Sequence, residues 1–166
     1  MQVTLLNYPF GYAGTKFTID KMHVMVRKGK TDPDVIGAAR AIVRNCPRKN
    51  YHAEAEAIFD FVKRNIRYTR DPNGVELVQS PSVTLRLGHG DCDDAAVLIS
   101  ALCEAVGMRT GFETIRSNPQ VPDEFSHVYA IVRTNEGWRA ADPTVDESFF
   151  GWQPQAGVYG RKIWVV

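Results

Sequence analysis

Apolar positions along this chain switch between helical spacing and strict alternation, and the switches mark its elements. Ala95, Ala96, Val97, Leu98, Ile99, Ala101, Leu102, Ala105 and Val106 make a segment that is apolar nearly all round, with Gly107 placed to cap its end. A helix without a polar face is a buried one, so this segment predicts the central helix of the fold. Upstream, Asp32-Pro33 reads as N-cap and first helical residue, leading through Val35, Ile36, Ala39, Ile42 and Val43 until Pro47 ends the helix. A second helix is expected over about 52–65, followed by a turn at Asp71-Pro72-Asn73-Gly74.

Alternation takes over downstream. Over 126–133 it sets His127, Tyr129, Ile131 and Arg133 on one face, and over 138–142 it does the same for Trp138, Ala140 and Asp142. Thr134-Asn135-Glu136-Gly137 supplies the turn between the two strands. If Arg133 pairs with Trp138, Tyr129 falls opposite Asp142, and His127 becomes the diagonal same-face neighbour of Asp142, about 7 to 8 Å away between backbones. A slip of one residue would put the two on opposite faces. Segments 3–6 and 17–26 read as strands broken by Pro9, Gly11 and Gly14, which predicts a β-rich extension over residues 1–30. Residues 149–160 are rich in Gly and aromatics, and 162–166 read as a closing strand. Nothing resembling a repeat, a low-complexity tract or a linker divides the sequence, so 1–166 is expected to be one domain.

Composition narrows the class. The chain has 166 residues, 44% of them hydrophobic, enough for one substantial core. Residues 1–14 lack a basic start and a sustained apolar run, and no stretch approaches membrane-span length, so the expectation is a cytoplasmic protein with no membrane partner. Three cysteines, Cys46, Cys92 and Cys103, are odd in number and too few for a disulfide framework. Net charge is +1, but residues 1–70 carry 13 Lys and Arg against 6 Asp and Glu, whereas 71–166 carry 7 against 13. That asymmetry reads as complementarity within one domain, and no nucleic-acid motif accompanies it. Nucleic acid is therefore not an expected partner.

The chemistry centres on Gly88-His89-Gly90-Asp91-Cys92-Asp93-Asp94, directly ahead of the buried helix. A cysteine at a helix N-terminus meets unpaired N–H groups and the positive end of the helix dipole, which favour a thiolate. Asp91, Asp93 and Asp94 oppose that effect, although they suit a helix start, with Asp91 the natural N-cap. A thiol needs a base, and an imidazole base needs a carboxylate to fix its tautomer and steady its charge. Cys92, His127 and Asp142 supply the three types in the order of papain-like sites. The expected geometry has Cys92 sulfur about 3 to 4 Å from one ring nitrogen of His127, with the other nitrogen on Asp142.

These blocks resemble the transglutaminase-like superfamily. The resemblance rests on Gly90-Asp91-Cys92-Asp93-Asp94-Ala95-Ala96-Val97-Leu98, Ser126-His127-Val128-Tyr129 and Gly137-Trp138-Arg139-Ala140-Ala141-Asp142-Pro143-Thr144, with Ile66-Arg67-Tyr68 upstream, and covers roughly 53–147. The wider layout is most similar to compact bacterial and phage-encoded members. The resemblance implies an α+β, papain-like core in which N-terminal helices and the nucleophile helix pack on an antiparallel β-sheet. It also implies a Cys92, His127, Asp142 triad acting on an amide or isopeptide bond, by hydrolysis or acyl transfer. Calcium-dependent animal members have Trp where this chain has Asp93 and Tyr129, so protein cross-linking is not carried over.

Further assignments complete the reading. Cys92 N–H is one natural oxyanion donor, and Gln79 and Tyr68 are candidates for the second. His89, Tyr129 and Trp138 are candidate site-lining residues, Trp138 with a packing role as its plainer alternative. A zinc site of His89, Cys92, His127 and Asp142 lacks the usual second thiolate, and a calcium loop beginning at Asp91 has Ala96 at its sixth position and Leu102 at its twelfth. No metal or cofactor is therefore expected. The expected partner is a protein or peptide substrate, with a peptidoglycan peptide or a virion protein among the options. The alternative reading is a non-catalytic phage or virion-associated assembly protein that keeps the fold.

Overall fold

The computed structural model describes residues 11–71 and 77–165. Its elements run α1 (Gly11–Gly29), α2 (Pro33–Val43), α3 (Tyr51–Asn65), β1 (Arg67–Tyr68), α4 (Pro81–Leu87), β2 (His89–Gly90), α5 (Cys92–Ala105), β3 (Arg109–Arg116), β4 (His127–Thr134), β5 (Gly137–Ala141) and β6 (Gly160–Val165). Four strands form an antiparallel sheet in the order β5-β4-β3-β6, while β1 and β2 make a separate parallel pair. The architecture is the expected α+β papain-like one. Among the described residues, no helix is long and apolar enough to cross a membrane.

The central helix is where the apolar run predicted it. Every residue of α5 from Asp94 to Cys103 is buried, because α1, α2, α3 and α4 pack on it from one side and β3 and β4 from the other. Val128, Ala130 and Val132 of β4 join α5 in the main core. The other face of the sheet carries a smaller cluster of Ile115, Tyr129, Ile131 and Ala140, covered by Trp138 and Val158. Full burial of each large aliphatic side chain on α5 is worth about 1.5–3 kcal/mol, so this helix anchors the site through packing.

Local signals fix where the helices begin. The Asp32 carboxylate accepts from Asp34 N–H with Pro33 at the first helical position, and Asn50 accepts from Ala53 N–H ahead of α3. At α5, Asp91 accepts from the N–H groups of Asp93 and Asp94, while Asp94 accepts from Asp91 N–H, a reciprocal capping box. Helix α4 ends on Gly88 at φ 68°, a left-handed turn suited to glycine, and the chain enters β2 at once. Gly90 is required for a different reason: a Cβ there would sit 2.6 Å from the Cβ of Asp94.

One expectation is corrected. Residues 17–26, read as a strand, lie within α1; residues 3–6, the other half of the expected β-rich extension, fall outside the described residues. The β-branched and aromatic content suggested strand, but the buried Ile19, Met22 and Val26 recur at helical spacing and face the core. Residues 72–74 of the expected turn are also outside the described residues. The hairpin register is as expected, with Arg133 paired to Trp138, and β6 closes the far edge of the sheet.

Candidate functional site

Three elements bring the candidate residues to one end of the sheet. Capping by Asp91 sets Cys92 at the start of α5, β4 begins at His127, and β5 delivers Asp142 just past its last residue, Ala141. Because the last β4–β5 pair is Ala130 with Ala141, Asp142 lies opposite Tyr129 and diagonal to His127 on the same face. The side chains bridge that diagonal: His127 Nε2 and Asp142 Oδ2 are 2.7 Å apart.

Asp142 is 1% exposed. Burial alone would raise its pKa, but the His127 ring, Thr144 N–H at 3.1 Å and Thr144 Oγ1 at 2.7 Å all stabilise the carboxylate, and the balance lies below the ordinary Asp value. With Nε2 on the carboxylate, Nδ1 is the nitrogen left for a thiol proton.

The hydrogen bonds of the thiol run to other groups. Cys92 Sγ donates to Asp93 Oδ1 at 3.5 Å and receives the N–H of Val128, the residue after His127; no hydrogen bond joins it to His127. Burial first, then the charges of Asp93 and Asp91, push the Cys92 thiol well above its ordinary value, against the smaller effect of Val128 N–H. The helix N-terminus does not prevail, because its N–H groups are engaged by Asp91. In the resting protein the sulfur is thus a protonated thiol held against Val128, the residue after His127.

The remaining candidates divide. Tyr68 lines the cleft described below, and partial burial first, then the neighbouring Cys92, push its phenol pKa up. Gln79 approaches through its backbone, whose N–H donates to Asp94 Oδ1 at 2.7 Å, while its side-chain Oε1 is buried without a partner. His89 lies in β2 opposite Arg67. Tyr129 is buried beneath His127, with ring centroids 6.0 Å apart and its hydroxyl accepting from Arg161 at 2.9 Å. Trp138 packs on the smaller cluster away from the thiol.

Next to these residues, Val62, Tyr68, Gly90, Asp91, Ala95 and Pro143 help line a cleft of about 180 Å³. Among the described residues, the one grouping with metal-ligand potential is Asp91, Cys92 and Asp93, with ligand atoms within 4.8 Å of one another. His89, His127 and Asp142 are not part of it, and Asp91 is already engaged in capping α5.

Sequence reasoning missed the supports. Asp94 is fully buried and holds both Asp91 and Gln79; the capping-box spacing from Asp91 to Asp94 was the signal. Lys63 and Ser148, which hold the loop after Asp142, carry no motif.

Comparison with known proteins bears on the family and the fold. A family model described as the transglutaminase-like superfamily matches residues 37–143. Among solved structures, Legionella pneumophila LapG in calcium-bound form superposes with a TM-score of 0.57 at 14% identity, covering 89% of this chain and 87% of LapG. A provisionally assigned cysteine protease from Cytophaga hutchinsonii gives 0.56 at 20% identity over 78% of this chain, and a provisionally assigned protease from Parabacteroides distasonis gives 0.62 at 11% over 84%. The chain spans 42% and 31% of those two proteins. None of the curated proteins matches it.

Proposed function

The chain belongs to the transglutaminase-like superfamily, and from that premise we propose that it is a cysteine-dependent amide or isopeptide hydrolase or acyltransferase acting on a protein or peptide. Cys92 attacks the carbonyl carbon while its proton passes to His127. The resulting oxyanion is met by Cys92 N–H and Tyr68 or Gln79. His127 returns the proton to the leaving amine, giving a thioester, and water or a second amine then releases the acyl group. Asp142 orients His127 throughout.

The observation that carries this reading is the 2.7 Å bond between His127 and the buried Asp142 carboxylate, beside the helix start that bears Cys92. Buried carboxylates that lack a partner are costly, and this one is held ionised by the ring it would orient. Incubation with a peptide library, read by mass spectrometry, tests it. The expected result is cleavage or amine incorporation that Cys92→Ala abolishes without unfolding the domain; product formation unaffected by Cys92→Ala would overturn it.

A second reading has one observation in its favour. The thiol is turned to Asp93 and its pKa is raised, which suits an inert cysteine in a phage or virion-associated assembly protein. Chloroacetamide separates the two: selective modification of Cys92 at neutral pH supports the enzyme, and resistance equal to that of the buried Cys103 supports the assembly role.

A further inference from the structure

We infer that Lys63, at the end of α3, is a positioning residue for Asp142, an inference that rests on the triad reading above. The β4–β5 ladder stops at the pair Ala130 and Ala141, so sheet hydrogen bonding does not reach Asp142. Its backbone is held from the other side. Ser148 Oγ donates to Asp142 O at 2.6 Å, closing residues 142–148 into a ring. Lys63 Nζ sits on that ring, donating to Val145 O at 3.0 Å, Asp146 O at 2.9 Å, Ser148 O at 2.5 Å and Ser148 Oγ at 3.1 Å.

An ammonium has three protons and no acceptor, so a group facing four oxygens is saturated by them and is not available to a substrate. Those oxygens come from a segment more than eighty residues away in sequence. The contacts form a continuous chain from α3 through Lys63 and Ser148 to Asp142, and from its carboxylate to His127. Without the ammonium, Val145 O keeps Ser148 N–H at 3.0 Å, but the carbonyls of 146 and 148 lose their shared donor and the ring loosens. Asp142 then keeps its carboxylate but loses the fixed backbone that aims it. Displacements of about 1 Å in such groups cost on the order of 10²-fold in rate.

The test uses Lys63→Met, Lys63→Arg and Ser148→Ala in the full chain, with Arg64→Met as control, since Arg64 pairs with Asp60 on the exposed side of α3. Two signals are read: the hydrogen-exchange rate of the His127 Nε2–H resonance, which reports the bond to Asp142, and the iodoacetamide rate of Cys92 at neutral pH. Lys63→Met should speed that exchange and lower alkylation by about 10²-fold, Lys63→Arg should restore most of both, and Arg64→Met should leave both unchanged. Should Lys63→Met fail to fold, Ser148→Ala cuts the same chain at its last link and should still speed exchange. Unchanged His127 exchange in the folded Lys63 and Ser148 variants would overturn the inference. A Cys92 inert in the wild type sinks the catalytic reading by a separate signal, because the His127 resonance is read independently of the thiol.

Discussion

Two buried aspartates frame the site and are held in opposite ways. Asp142 receives His127 and both donors of Thr144, and its pKa lies below the ordinary value. Asp94 is as deeply buried, yet it receives only the backbone N–H groups of Gln79 and Asp91 and stands near Asp91 and Asp71; burial prevails and raises it from 3.8 to about 6. At similar burial, the donors around a carboxylate decide which way its charge goes. The base end of the site is organised to hold negative charge. At Cys92, negative charge is crowded around a thiol that the proposed reaction requires to lose a proton.

Removing the better-held carboxylate gives the largest expected effect. Asp142→Asn keeps the shape but loses the charge that steadies an imidazolium, so Cys92 alkylation and any amide cleavage at neutral pH should fall about 10²- to 10⁴-fold. The melting temperature should change little. Lost stability with intact reactivity would mean that Asp142 only shapes the turn into Pro143 and Thr144.

Stability against pH should separate the two carboxylates next. Asp94 is raised in the folded protein, so its contribution is fully present below pH 3.8 and is lost as pH rises through about 6. Over that window the loss is roughly 3 kcal/mol. Asp142 is lowered, so its contribution is present above the ordinary Asp range and is lost as pH falls through its lowered value. Denaturant unfolding between pH 4 and 7 should show a decline with rising pH that Asp94→Asn flattens; an unchanged slope in that variant would assign the decline elsewhere.

The smallest expected effect lies on the thiol itself. Asp93 is the largest charge acting on Cys92 after burial. Asp93→Asn should therefore lower the thiol's pKa and speed alkylation at neutral pH by about tenfold. A slower reaction would show that Asp93 aids the proton's departure.

Much of this was legible in the sequence, and the rest was not for physical reasons. The all-round apolar run gave α5, and alternation with a short turn gave the β4–β5 register that joins His127 to Asp142. Strand β3 was missed because its buried Glu113 looks exposed by type, and its partners Gln153 and Arg161 lie about forty residues on. Helix α1 was misread because β-branched content outweighed the spacing of Ile19, Met22 and Val26. Helix α4 carried the same proline start signal at Ser80-Pro81 that was used at Asp32-Pro33. The direction of the Cys92 shift needed coordinates, since the helix N-terminus and the flanking aspartates act oppositely and only distances weigh them. Lys63 left no trace in the sequence, because a lysine at a helix end is ordinarily a solvated charge.

The most direct test of the central claim is the rate of Cys92 alkylation across pH, compared between the wild type and His127→Ala. If His127 takes the thiol proton, the wild type should react at neutral pH although burial and two aspartates raise its thiol, and His127→Ala should react only as the pH climbs well above 9. Superimposable profiles for the two proteins would contradict the account.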